Sequence, residues 1–246
     1  MTGLRRDRRA AAATTWDALA ARYRAQEQLE HRAVDVALRL AAPEPHQRLV
    51  DLATGTGLLL RRLAARPARP REAIGVDRSA GMLARVGDLP HGWSTVLGDA
   101  RQVVLPSGCA DVVTCSYLLH LLDRAERADV LAEAKRLLAA SSASRLITVT
   151  VWADDACLRG RLISRALRAA ARARPAPWGG LRPLDPSADL AAAGFVVTRR
   201  VVLPRRGYPS LVIAAVLASP AAEIAQAADR SAASAGQIAQ ARKGAS

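Results

Sequence analysis

The residues best placed to do chemistry fall in one stretch. Residues 49–60 read LVDLATGTGLLL: an apolar run, then Gly55-Thr56-Gly57, then a second apolar run. A strand that turns through glycines into a helix lets the backbone approach a ligand closely, because glycine has no Cβ and tolerates positive φ. Twenty residues beyond Gly57, the next strand-like run ends in Asp77. A carboxylate at that tip can accept hydrogen bonds from both hydroxyls of a ribose. The combination points to a cofactor that contains a nucleoside. Leu60 stands where a dinucleotide fingerprint has its third glycine, so that fingerprint is incomplete. No Gly-Lys-Ser/Thr follows, which excludes a Walker loop. Asp51, just before the glycines, would repel a pyrophosphate and suits a cationic ligand bearing an ammonium and a sulfonium.

The elements that must position these residues alternate regularly. Strand-like runs are read at residues 48–53, 73–77, 94–97, 111–115 and 145–152, with helices at 58–66, 79–86 and 124–138 between them. Such alternation implies βαβ crossovers and a mostly parallel sheet covered by helices on both faces. Ahead of it, residues 14–40 carry apolar positions at helical spacing (Leu19, Tyr23, Leu29, Ala33, Val36, Ala37, Leu40), read as two helices ended by Pro43 and Pro45. Behind it come an amphipathic helix at 158–174, a Pro/Gly/Trp loop, a short helix at 187–193, and strands at 195–203 and 210–218 joined as an antiparallel hairpin. The expected organisation is a basic arm (1–13) and a domain spanning 14–218. That domain divides into a helical lid (14–42), a cofactor-binding core (48–152), a substrate-covering segment (153–194) and a terminal hairpin (195–218). An Ala/Ser-rich tail (219–246) follows.

Composition bounds the rest. With 246 residues, half of them hydrophobic, the chain can bury a large core, built of aliphatics because aromatics are only 3%. No run approaches the roughly 20 apolar residues of a membrane helix. The amino terminus lacks an apolar signal core, and the three cysteines lack paired or CxxC spacing. The chain therefore reads as cytoplasmic, without a metal site. The net charge of +14 raises the question of a nucleic-acid partner. Yet all the basic residues except Lys135 and Lys243 are arginines scattered among alanines, as a genome-wide bias would produce. Charge alone does not name the partner, and nucleic acid is not the expected one.

In order along the chain, LVDLATGTG, the Asp77 strand, GDA at residues 98–100, LPSGCADVVTCSYLLHLL at 105–122 and the ITVTVW strand at 147–152 resemble class I S-adenosylmethionine-dependent methyltransferases. The resemblance is to the small-molecule type similar to ubiquinone/menaquinone-biosynthesis methyltransferases, and it spans residues 14–218. It implies a Rossmann-like α/β fold: a seven-stranded, mostly parallel sheet with a carboxy-terminal antiparallel hairpin and an amino-terminal helical lid. It also implies roles. Asp51, Ala53, Gly55 and Gly57 would line the methionine moiety, with Ala53 standing where most of the family has glycine. Asp77 would hold the ribose, Arg78 or Met82 would flank the adenine, Asp99 would accept from its amino group and the Ala100 N–H would meet its ring. Ser116 and Tyr117 would approach the methyl end. Trp16, Asp17 and Tyr23 resemble the segment that closes over the cofactor. Plain structural readings stand beside these: a simple turn for Gly55 and Gly57, a helical cap for Asp99, a strand-end hydrogen bonder for Asp51.

Of four Trp, three Tyr and one Phe, five (Trp16, Tyr23, Tyr117, Trp152, Trp178) fall where the mouth of such a site should be. Trp16, Tyr117, Trp152 and Trp178 are the expected substrate contacts. His120, one turn past Tyr117, is the candidate base with Tyr117 beside it; a capping or shaping role is the alternative. The implied reaction is methyl transfer from S-adenosylmethionine, leaving S-adenosylhomocysteine, to a small aromatic or apolar acceptor, by a monomer or homodimer without a metal. The rival readings are an RNA or protein methyltransferase and a non-catalytic binding protein of the same fold.

Overall fold

Runs rich in Val, Ile and Leu prefer extended backbone, and when helices cover both faces they need no polar alternation. Five of them form the parallel part of one sheet: β1 (Arg48–Leu52), β2 (Glu72–Asp77), β3 (Trp93–Leu97), β4 (Val112–Ser116) and β5 (Arg145–Val151). The computed structural model describes residues 15–21, 23–152, 183–203 and 209–218. β6 (Phe195–Leu203) and β7 (Ser210–Leu217) pair antiparallel, and β7 inserts between β5 and β6, giving the order β3-β2-β1-β4-β5-β7-β6. The chain direction along the sheet thus reverses between β1 and β4, the crevice at which open α/β sheets bind ligands. The expected helix at 158–174 and Trp178 lie outside the described residues.

A helical turn at residues 15–19 (α1) precedes α2 (Tyr23–Ala41), which lies across the β5–β7 side of the sheet. The buried residues of α2 are Glu30, Ala33, Val34, Val36, Ala37, Leu38 and Ala41. Ala33, Val36 and Ala37 of the expected stripe are buried; Leu29 is not, at 41% exposure, and Glu30 beside it takes an inward place. α3 (Leu58–Ala64) packs on the same face through Leu59, Leu60 and Leu63. Two ion pairs tie α2 to it, Arg61 with Glu27 (2.7 Å) and Arg62 with Asp35. The opposite face is covered by α5 (Arg124–Leu137) and α6 (Ser187–Ala192), which bury Val130, Leu131, Ala134, Leu137 and Leu190 against β1, β4, β5 and β7. α5 begins in a capping box between Asp123 and Glu126.

Two glycines let the β1–α3 turn sit close to its neighbours. Gly57 adopts φ 77°, and a Cβ there would come within 2.7 Å of the Val86 side chain. A Cβ on Gly75, in β2, would meet Leu60 Cδ1 at 2.8 Å. β1 stops at Leu52, one residue short of the expected end, because Ala53 turns into the left-handed region at φ 57°. An L-residue pays about 1–2 kcal/mol for that conformation.

Candidate functional site

The carboxyl ends of β1 to β4 open into one cavity of about 330 Å³. Its floor is the turn after β1. There Asp77, at the end of β2, reaches across: Oδ2 accepts from the Gly55 N–H (2.8 Å) and Oδ1 from the Ser79 N–H (2.9 Å). Burial pushes the Asp77 carboxyl up, opposed by those backbone donors and by the Arg78 charge. The carboxylate thereby fixes the glycine turn and lines the cavity at once.

The cavity collects most of the residues singled out in the sequence. Ala53 and Gly55 come from the first turn, and Asp77, Arg78 and Met82 from the end of β2 and from α4 (Ala80–Leu83). Asp99 and Ala100 follow β3, and Ser116 and Tyr117 end β4. Trp16 and Tyr23 close it from the amino-terminal helices, their rings edge to face at 6.2 Å. Thr15, Leu19, Leu118, Leu121 and Leu122 add wall that the sequence did not single out. Ser116 Oγ is buried there without a hydrogen-bond partner, so a polar ligand group meeting it relieves a desolvation cost.

α1 is fastened from below. Asp17 Oδ1 accepts from the Ser79 hydroxyl (2.5 Å) and from the Gly81 N–H (2.8 Å), and both bonds hold its carboxyl below the usual range. Ser79 in turn caps α4 by accepting from the Met82 N–H. α1 is thus latched to the segment that carries Asp77 and Met82.

Other sequence expectations fare differently. Asp51 does not line the cavity. It is 2% exposed, lies beside Thr114 in the sheet and accepts from its hydroxyl (2.7 Å). Burial pushes its carboxyl up to about 6, with the Thr114 bond opposing and the Asp77 charge adding. Nor does Gly57 line it; the residue serves the turn. His120 sits in the one-turn 3₁₀ helix Leu119–Leu121, buried behind the wall formed by its neighbours. Its Nδ1 has no partner, and burial drives its pKa down to about 3. A neutral imidazole that resists protonation and does not reach the cavity is a poor proton acceptor, so the base assigned to His120 lacks the geometry it needs. Its ring stands perpendicular to Tyr117, 6.1 Å away, as a packing partner. Trp152 also misses the cavity. It packs at the β7 side, with the Arg200 guanidinium 5.6 Å over its ring. Tyr117 does line the cavity, but its hydroxyl pairs with Ser210 Oγ on β7 (2.8 Å) and its backbone sits at φ 57°. It shapes the β4 tip; the hydroxyl is already engaged.

Two charged residues also escaped the sequence reading. Arg101 grips Asp99, and looked like one more arginine in an arginine-rich chain. Glu30 is buried in α2, accepting from the Tyr23 hydroxyl (3.2 Å) and from Gln26 Nε2 (3.0 Å). Burial lifts it to about 7 against those two bonds, with Glu27 adding to the rise. A Glu on the inward side of an apolar stripe was its only signal.

A parallel sheet with a terminal antiparallel pair, a glycine turn after β1 and an acid at the tip of β2 define the class I, Rossmann-like methyltransferase fold. Residues 49–141 match the family model described as a methyltransferase domain. No curated protein matches the sequence. Among solved structures, a chain of the complex between the Haloferax volcanii Trm112 methyltransferase activator and a methyltransferase is similar at 17% identity. That match has a TM-score of 0.67 over 84% of this chain and 97% of that one. Magnesium protoporphyrin IX methyltransferase from Synechocystis PCC 6803, with bound S-adenosylhomocysteine, is similar at 21% identity, with a TM-score of 0.55 over 77% and 83%. The cyclase SpnF is similar at 17% identity, with a TM-score of 0.60 over 76% and 80%. At these identities the likeness is one of fold. Among the described residues, no helix is long and apolar enough to cross a membrane, and no group of three or more His, Cys, Asp or Glu is placed to hold a metal ion.

Proposed function

We propose that this protein is an S-adenosylmethionine-dependent methyltransferase acting on a small aromatic or apolar acceptor. One observation carries the reading. A single cavity gathers the β1 turn at Gly55, the carboxylates of Asp77 and Asp99, and the unpartnered Ser116 hydroxyl from the ends of four adjacent strands. That donor and acceptor set fits the cofactor. Asp77 would take the ribose hydroxyls. Asp99 and the Ala100 N–H would take the adenine edge. Ala53, Gly55 and Ser116 would take the amino-acid end. Met82, Leu121 and Leu122 supply apolar wall for a planar base. The volume lies at the small end of ligand pockets, about 300–1,000 Å³, which is room for one such molecule.

Bound there, the cofactor supplies an electrophilic methyl group on a sulfonium. The chain's own part is approximation and exclusion of water. Trp16, Leu19 and Tyr23 roof the cavity on a lid latched by Asp17, and Leu118 and Leu122 wall it. Aromatic faces at the roof also favour a cationic centre, by about 0.5–2 kcal/mol. Of the hydroxyls that line the cavity, those of Tyr23 and Tyr117 are already hydrogen-bonded, to Glu30 and Ser210.

The test is titration calorimetry with S-adenosylhomocysteine, then methyl-transfer assays on a panel of phenols and hydroquinones. Binding below about 100 µM with turnover of at least one acceptor supports the reading, and no binding removes it. The structural likeness to a chain of a complex that contains a methyltransferase activator keeps an RNA or protein acceptor as the second reading. Salt-sensitive binding of RNA, or turnover only in the presence of an activator, would favour it. Likeness to a cyclase leaves non-methylating use of the fold as the third, marked by tight cofactor binding without methyl loss.

A further inference from the structure

Asp99 is not a lone acceptor at the base end of the cavity. Arg101 Nε and Nη2 fork onto its two oxygens at 2.9 and 2.6 Å, and the Arg101 backbone N–H also reaches Oδ1 at 3.0 Å. The other side of the guanidinium is pinned: Nη1 donates to Glu126 Oε1 at 2.7 Å. Glu126 is fixed in turn by the capping box of α5, where its Oε2 accepts from the Asp123 N–H and its own N–H donates to Asp123 Oδ1. The Arg101 side chain is only 7% exposed although it borders the cavity. An arginine that buried, with both flanks held, is a rigid bracket for one carboxylate.

We infer that Arg101 is a positioning residue that locks Asp99 as a fixed hydrogen-bond acceptor and so makes the site selective for a 6-aminopurine over a 6-oxopurine. The inference rests on the cofactor reading above and deepens it. An ion-paired carboxylate accepts and cannot donate. A 6-amino group donates to it, whereas a 6-oxo group presents a second acceptor and is repelled. A site built to pair one polar group rejects the analogue that leaves its own group unpaired. Without the fork, the Asp99 side chain is free to rotate away from the base edge, and the discrimination between the two bases falls.

The experiment compares affinities for S-adenosylhomocysteine and S-inosylhomocysteine by calorimetry. The wild type is expected to favour the adenosyl compound at least tenfold. Arg101→Leu should bring the ratio to within threefold. Arg101→Lys, a point charge without the fork, and Glu126→Gln, which retains a cap-forming side chain but weakens the outer bracket, should give intermediate ratios. A merely structural Arg101 would lower both affinities together and leave the ratio alone. Folding is checked by circular dichroism; if Arg101→Leu does not fold, the other two variants decide. An unchanged ratio in the folded variants, or a wild type that binds both equally, overturns the inference while sparing the cofactor reading. A wild type that binds neither overturns the cofactor reading and this inference with it.

Discussion

Replacing Asp77 by alanine removes the residue on which the glycine turn and the proposed ribose contact both depend. In the folded protein its two oxygens accept from the Gly55 and Ser79 N–H groups at 2.8 and 2.9 Å. A hydrogen bond to a charged group contributes about 1.5–3 kcal/mol. Losing one such bond to a ribose hydroxyl therefore raises the dissociation constant about 10- to 150-fold. The two backbone donors lose their partner as well, but the Gly55 N–H borders the cavity, where water can replace the carboxylate. The stability cost is accordingly about 1–3 kcal/mol, seen as a melting temperature lower by about 2–4 °C per kcal/mol. Asp77→Asn keeps the shape and one acceptor oxygen, and should fall between wild type and alanine. Calorimetry with S-adenosylhomocysteine reads the affinity, and thermal unfolding followed by circular dichroism shows whether the variant is folded. A folded Asp77→Ala variant whose affinity stays within threefold of wild type would refute the ribose role, and the turn-fixing role fails if the melting temperature does not move.

Three further perturbations test other parts of the argument. Ala53→Gly relieves an L-residue at φ 57°, and after the added freedom of the unfolded chain it should stabilise by about 0.5–1 kcal/mol; a lower melting temperature would contradict it. Asp17→Ala unlatches α1 from Ser79 and Gly81, so amides of residues 15–21 should exchange faster while those of β4 and β5 are unchanged; equal protection in both proteins would show that the latch is idle. Burial raises Glu30 from 4.5 to about 7, so the folded state holds that proton more tightly than the unfolded chain. The resulting stabilisation is complete below about pH 4.5 and is lost as pH rises through about 7. Glu30→Gln removes this loss, and its stability relative to wild type should rise across that window by on the order of 3 kcal/mol; a difference independent of pH in chemical denaturation would exclude a buried, titrating Glu30.

Much of this protein was legible before any coordinates. Periodicity and punctuation alone placed the strands and helices of the core, because a strand buried on both faces must be a short aliphatic run and a crossover helix must carry an apolar stripe. The glycine turn with Asp77 twenty residues on marked the edge where the cavity opens, because few other residue types permit that backbone path or that acceptor. What the sequence left undecided is which way each side chain faces and what reaches it from afar. The insertion of β7 between β5 and β6 comes from register across the sheet, not from order along the chain. Asp51 and His120 look like site residues in one dimension, yet the pleat of β1 and the tight turn after β4 turn them into the protein, where burial pushes the first carboxyl up and the second imidazole down. Arg101 shows the converse. Its type was lost in a background of arginines, and only the fold, by setting Asp99 and the capping box of α5 on either side of one guanidinium, gives it a specific partner on each flank.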